Sequence, residues 1–143
     1  MTQTVNFVKN IEMSYKNNNK HLFIVFTSDF YKFYYSLNTA NTLSACNKKV
    51  SFFITGYSCN FIFDNWISFD KNNKVETIKK NKMSSYEEVL TMSKDLNIDF
   101  YYCDTALDLL KTKDSKMIEN LDIKPVGLYH IINRFKEDNI IFI

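Results

Sequence analysis

The sequence predicts an α/β protein: a single domain with an open, mainly parallel sheet of about five strands and helices on both faces. Three observations carry this expectation. The segments 22–26, 50–55, 98–102 and 140–143 are predominantly apolar rather than strictly alternating, as strands covered on both faces are. Segments with helical spacing of apolar residues separate them, and strands alternating with helices imply βαβ units with right-handed crossovers. The chain has 143 residues, 45% of them hydrophobic, enough for one core of ordinary size.

Taken in order, residues 1–20 end in Lys16-Asn17-Asn18-Asn19-Lys20, a polar run with nothing to bury, and are expected to be a flexible leader or a loosely docked helix ahead of a domain spanning 21–143. Leu22, Phe23, Ile24 and Val25 open the first strand. Thr27-Ser28-Asp29 supplies N-cap candidates for a helix over 30–46, where Phe33, Leu37, Ala40 and Leu43 recur at helical spacing. Asn47 can adopt the left-handed conformation that ends a helix, and the second strand follows. Gly56-Tyr57-Ser58 turns the chain into an apolar stretch at 59–67. Residues 64–83 carry Lys71-Asn72-Asn73-Lys74 and Lys79-Lys80-Asn81-Lys82, the most polar stretch, and read as a mobile or weakly structured excursion.

Ser84-Ser85-Tyr86-Glu87-Glu88 offers two overlapping capping boxes to a helix over 85–96, whose apolar face is Tyr86, Val89, Leu90, Ser93 and Leu96. Strand 98–102 then meets Cys103 and a short helix to about residue 111. Leu121-Asp122-Ile123 is the candidate for a short fifth strand. Pro125 suits a first helical turn, with Val126, Leu128, Tyr129, Ile132 and Phe135 following at helical spacing.

Composition excludes several classes. Net charge is +2 with acids and bases interspersed, so no basic stripe tracks nucleic-acid phosphates. No apolar run approaches the roughly 20 residues that span a bilayer, and the N-terminus lacks a signal-peptide core, which points to a cytoplasmic protein away from membranes. Cys46, Cys59 and Cys103 are scattered, with no CxxC and only two histidines, matching neither a disulfide framework nor a metal site. No glycine-rich phosphate loop occurs, so no nucleotide cofactor is expected. The two glycines and the abundance of Asn, Lys, Ile, Phe and Tyr read as a bias of base composition.

Cys103 is the residue with chemistry to offer. It closes the run Ile98-Asp99-Phe100-Tyr101-Tyr102 and opens Asp104-Thr105-Ala106-Leu107-Asp108-Leu109-Leu110, which aims a thiol at a helix N-terminus, where backbone N–H groups favour the nucleophilic thiolate. Asp104 and Asp108 oppose that activation. The alternative is a small buried hydrophobe at a strand end. In open parallel sheets ligands gather outside the carboxyl ends of the strands. Ser28, Asp29, Thr55, Tyr57, Cys59 and Cys103 all fall there, and are expected on one rim as a catalytic cysteine with binding neighbours. Cys59 is a candidate resolving thiol if its loop adjoins that of Cys103, and otherwise a core residue. Ser28 and Asp29 either bind an anion or simply cap the helix.

The run from Phe100 to Leu110 with Cys103 at its centre, preceded by Ser85-Tyr86-Glu87-Glu88-Val89-Leu90, resembles the segment around the reactive cysteine in the DsrE-like superfamily of sulfur-relay proteins. Phe23-Ile24-Val25-Phe26-Thr27-Ser28-Asp29 is similar to its first strand and loop, and Lys49-Val50-Ser51-Phe52-Phe53-Ile54-Thr55-Gly56-Tyr57 to its second strand. Val126-Gly127-Leu128-Tyr129 resembles the start of its last helix, and Asp138-Asn139-Ile140-Ile141-Phe142-Ile143 its final strand. Two departures stand out: Asn47 and Ser58 occupy positions where the family commonly has glycine, and the second bears on access to the rim.

The resemblance implies sulfur handling: a persulfide carried on Cys103, loaded by a sulfur donor protein and passed to an acceptor, as in a sulfurtransferase-type carrier. It also implies homo- or hetero-oligomers. Phe30, Tyr31, Phe33, Tyr34 and Tyr35 place five aromatics within six positions, too wide for one buried stripe, so some of them are expected at a subunit interface. The rival readings are a non-catalytic binding or assembly subunit of the same fold and a small-molecule or redox-sensing protein using the same rim.

Overall fold

The computed structural model describes residues 19–110, 115–119 and 121–143, so the expected leader over 1–20 lies, apart from Asn19 and Lys20, outside the described residues. Five strands form one parallel sheet: β1 (Lys20–Val25), β2 (Lys49–Ile54), β3 (Asp99–Cys103), β4 (Ile123–Val126) and β5 (Asn139–Phe142). Their order is β4-β3-β2-β1-β5, with every neighbouring pair parallel. Leu22 to Val25 and Val50 to Ile54 are all buried, Ser51 included, which is why these strands read as predominantly apolar rather than alternating.

On one face Phe23, Phe52 and Phe100 lie side by side across β1, β2 and β3, with ring centroids 5.7 and 5.5 Å apart. Helix α1 (Phe30–Ala45) covers them, its Phe33 ring standing edge-on to Phe52 at 5.9 Å. Asp29 caps α1 by accepting the Lys32 N–H at 2.9 Å. At the other end Asn47 is left-handed (φ 64°), with Lys48 N–H donating to Leu43 O and Asn47 N–H to Ser44 O, the paired bonds of a Schellman ending.

The stretch 64–83 corrects the expectation of a weakly structured excursion. A 3-10 turn at Gly56–Ile62 is followed by a second at Trp66–Phe69 and by helix α2 (Lys74–Lys80). Asp70 starts α2 by accepting the N–H groups of Lys74 and Val75 at 2.9 and 2.8 Å. Two buried side chains hidden among the lysines, Trp66 and Ile78, anchor the segment. Trp66 packs on Phe30 (5.1 Å) and on Tyr86 (4.5 Å), the first residue of helix α3 (Tyr86–Asp95). Helix α3 has the capping box expected of it, Ser85 and Glu88 each bonding the other's backbone N–H.

Helix α4 (Asp104–Leu109) follows β3 directly. The chain beyond it lies along the first 3-10 turn: Ile118 N–H donates to Ile62 O at 2.9 Å, and Asp64 N–H to Lys116 O at 2.8 Å. That turn packs on α1 through Phe61 and Phe33 (5.0 Å), so α4 and its exit belong to the α1 face. The expectation for Pro125 is also corrected. It sits inside β4, paired with Tyr102, and helix α5 (Leu128–Arg134) starts only after Gly127. β4 is an edge strand, the one place in a sheet where a residue without an N–H is tolerated.

Helix α5 lies on the opposite face, where Phe135 at its end meets Tyr101 edge-on at 6.0 Å and Arg134 lies 5.7 Å from the same ring. Its buried anchor is Ile131. The steps β1 to β4 run in one direction across the sheet and β4 to β5 returns across it, and right-handed crossovers put that return on the other side. Adjacent strands β3 and β4, whose Cys103 and Val126 are register partners, therefore send their chains to opposite faces. In open parallel sheets it is outside the carboxyl ends of the strands, at such a reversal, that ligands bind.

Candidate functional site

Two loops are tied together over the carboxyl ends of β1 and β2. Thr55 N–H donates to Val25 O (2.9 Å), and the Ser58 hydroxyl donates to Thr27 O (2.6 Å). The exposed rings of Phe26 and Tyr57 meet edge-on at 5.5 Å. Gly56 is left-handed (φ 53°), and a Cβ there would lie 2.3 Å from two ring carbons of Phe26, so this turn needs glycine. Ser58, one of the two departures from the family pattern, is fully buried, and its hydroxyl stitches the loops where a glycine would leave space. Ser28 is exposed at this rim, Asp29 spends its carboxylate on the α1 cap, and the Thr55 side chain makes no capping bond.

Cys59 sits deeper, at 0% exposure, with its thiol donating to Ile54 O at 3.5 Å. Burial above all pushes this thiol up to about 12, from 9.0. The neighbouring Cys103 thiol adds to the rise, and the Cys103 backbone N–H opposes it. The loop of Cys59 thus adjoins that of Cys103, and the three cysteines are free thiols, Cys46 exposed at the far end of α1.

Cys103 ends β3, occupies the N-cap position of α4 and is 5% exposed. The helix-terminus chemistry expected from the sequence is not what surrounds its sulfur. The Cys103 side chain makes no capping bond, and the Thr105 N–H is taken by the Asp104 carboxylate at 2.8 Å. What does reach the sulfur is a side chain that sequence reasoning did not single out: Thr105 Oγ1 lies 3.0 Å from Cys103 Sγ. The signal available was the spacing Cys-x-Thr at a strand-to-helix junction, which looks like ordinary helix filler.

The structure therefore places Ser28, Asp29, Thr55 and Tyr57 on the outer rim over β1 and β2, and Cys59, Cys103 and Thr105 in a second cluster over β2 and β3. The Gly56–Ile62 turn carries residues of both. A cleft of about 520 Å³ lies elsewhere, at the amino ends of β3 and β4, among Lys94, Asp95, Asp99, Asp122 and Lys124. Among the described residues no group of His, Cys, Asp and Glu is arranged to hold a metal ion, and no helix is long and apolar enough to cross a membrane.

The fold is similar to that of the ychN protein from E. coli, with a TM-score of 0.60 and 11% sequence identity over 87% of this chain and 98% of that one. A search of the curated proteins gives no match. The sequence profile of the DsrE/DsrF-like family matches residues 20–142, nearly the whole described chain. A parallel five-stranded sheet in the order β4-β3-β2-β1-β5, with a cysteine closing its third strand at the reversal of the chain, thus has its place among known proteins: this chain belongs to the DsrE/DsrF-like family.

Proposed function

We propose that this protein carries sulfane sulfur as a persulfide on Cys103, the role that its family's sulfur-relay members imply. The observation that carries the reading is the position of Cys103, at the carboxyl end of β3 where the chains of β3 and β4 part to opposite faces, with the Thr105 hydroxyl 3.0 Å from its sulfur.

The step is redox-neutral. The Cys103 thiolate attacks the outer sulfur of a donor persulfide, a new S–S bond forms at Cys103 as the donor's S–S bond breaks, and the electron pair leaves with the donor thiolate. An acceptor thiolate then takes the same outer sulfur and regenerates the Cys103 thiolate. No metal, nucleotide or external oxidant is consumed.

Donor and acceptor proteins are the partners this reading requires. Leu128 (53% exposed) and Tyr129 (76%) follow the carboxyl end of β4, beside the strand of Cys103, and offer an apolar surface for such a partner or for a further subunit. Of the α1 aromatics offered for an interface, Phe30, Phe33 and Tyr34 belong to the core, leaving Tyr31 and Tyr35 outward.

One observation favours the rival reading of a non-catalytic assembly subunit: at 5% exposure, Cys103 must be uncovered before a donor can reach it. The deciding experiment is incubation of the full chain with a low-molecular-weight persulfide, followed by mass spectrometry of its peptides. One added sulfur on Cys103, absent in Cys103→Ser, supports the carrier. No adduct at any pH at which the protein stays folded leaves the assembly subunit.

A further inference from the structure

The Cys103 sulfur has one side-chain hydrogen-bond partner among the described residues, and that partner differs from its counterparts. Four other helical threonines, Thr39, Thr42, Thr77 and Thr91, turn their hydroxyls back to the carbonyl four residues earlier, on Tyr35, Asn38, Asn73 and Glu87. Thr105 does not. It stands in the first turn of α4, and its hydroxyl lies on the Cys103 sulfur two residues back. Its own N–H is held by Asp104, which fixes the backbone that aims the hydroxyl. Thr105 is exposed whereas Cys103 is buried.

A hydroxyl is both donor and acceptor and turns to suit its partner. Facing a thiol it can accept the S–H; facing a thiolate it donates, and a hydrogen bond to a charged atom is about twice as strong as a neutral one. The same rotor therefore stabilises Cys103 most in its charged, nucleophilic form. From this geometry we infer that Thr105 positions and stabilises the Cys103 thiolate for attack on sulfane sulfur, an inference that rests on the carrier reading for its reaction but not for its hydrogen bond. Among the described residues, the titratable groups near this thiol are Cys59, in the Gly56–Ile62 turn, which interacts with it, and Asp104, its chain neighbour in α4.

The test compares the full-length wild-type chain with Thr105→Val, which keeps the shape and removes the hydroxyl, and Thr105→Ser, which keeps the hydroxyl. Two readouts are taken: the pH dependence of Cys103 alkylation by iodoacetamide, resolved by mass spectrometry, and the rate of sulfur loading from a low-molecular-weight persulfide. Thr105→Val is expected to alkylate and load about tenfold more slowly near neutral pH, the scale of one pH unit, with its alkylation profile displaced to higher pH. Thr105→Ser is expected within about twofold of wild type on the same hydrogen-bond argument.

A Thr105→Val profile superimposable on wild type would overturn the inference, and so would a Thr105→Ser as slow as Thr105→Val. If wild type takes up no sulfur, the carrier reading fails, and the alkylation profiles still decide the role of Thr105. If sulfur loads on Cys103 equally in all three proteins, the carrier stands and Thr105 has no part in it.

Discussion

Ser93 and Asn41 are hydrogen-bonded to each other inside the protein: the Ser93 hydroxyl donates to Asn41 Oδ1 at 2.7 Å, joining α3 to α1, and both residues are buried. Asn41 Nδ2 completes the link by donating to Val89 O at 3.2 Å. A buried polar pair of this kind contributes little net stability while intact, and becomes expensive when one partner is removed.

Ser93→Ala is accordingly expected to lower the unfolding free energy by about 1–3 kcal/mol, because Asn41 Oδ1 is left unpaired away from water. Urea denaturation followed by circular dichroism measures it. A loss under about 0.5 kcal/mol would mean that the oxygen finds another donor.

His21, in β1 between Val50 and Asn139, has both ring nitrogens buried, and neither is hydrogen-bonded to any of the described residues. Burial first, then the Lys48 ammonium, holds its pKa below the ordinary 6.5, with Asp138 opposing. The neutral ring is therefore the folded form. Between 6.5 and the lower folded value the unfolded chain binds more protons, so the stability His21 contributes is full above about pH 6.5 and is lost as pH falls below it. Melting temperatures from about pH 7 down to about pH 5 are expected to fall more steeply for wild type than for His21→Leu. Parallel curves for the two proteins would rule the histidine out.

Cys59 gives the opposite sign at the alkaline end. Its thiol, pushed up to about 12 from 9.0, stays protonated in the fold after the unfolded chain has begun to ionise. Stability is thus full below about pH 9 and declines above it, by at most about 1.4 kcal/mol per pH unit. Cys59→Ala is expected to be less stable at neutral pH because of the cavity, yet flatter between about pH 9 and about pH 11 in denaturant titrations. Alkylation of the native wild type should reach exposed Cys46 first and Cys59 only on unfolding. Prompt native labelling of Cys59 would show that its turn opens on its own.

Much of this molecule could be read in its sequence, for a definite reason. β1, β2 and β3 are largely buried on both faces, so they appear as predominantly apolar runs, and Ser85 with Glu88 marks α3 by a pattern that its backbone demands. β4 could not be read the same way. It is an edge strand of four residues containing Lys124 and Pro125, and its proline is as well suited to a helix start. The stretch 64–83 misled because two anchors, Trp66 and Ile78, stand among lysines and asparagines on solvated faces. At the site, the place of Cys103 was legible from the strand-to-helix change. The identity of its partner was not, because whether a threonine hydroxyl turns to a carbonyl or to a sulfur depends on where the helix begins.

The helix ends have a wider meaning for how this chain tolerates its own composition. The backbone is left-handed at Asn47, Asn73, Lys82 and Asn97, and three of these, Asn47, Lys82 and Asn97, end helices with the same pair of reversed hydrogen bonds. Turns of this handedness are usually the province of glycine, yet the chain holds only two glycines in 143 residues. Asparagine is among the side chains that enter this region most readily, so a chain rich in asparagine can form such corners without glycine. The corners of the fold are thus built with few glycines, and glycine stands at Gly56, where the chain is left-handed and a ring lies against the backbone.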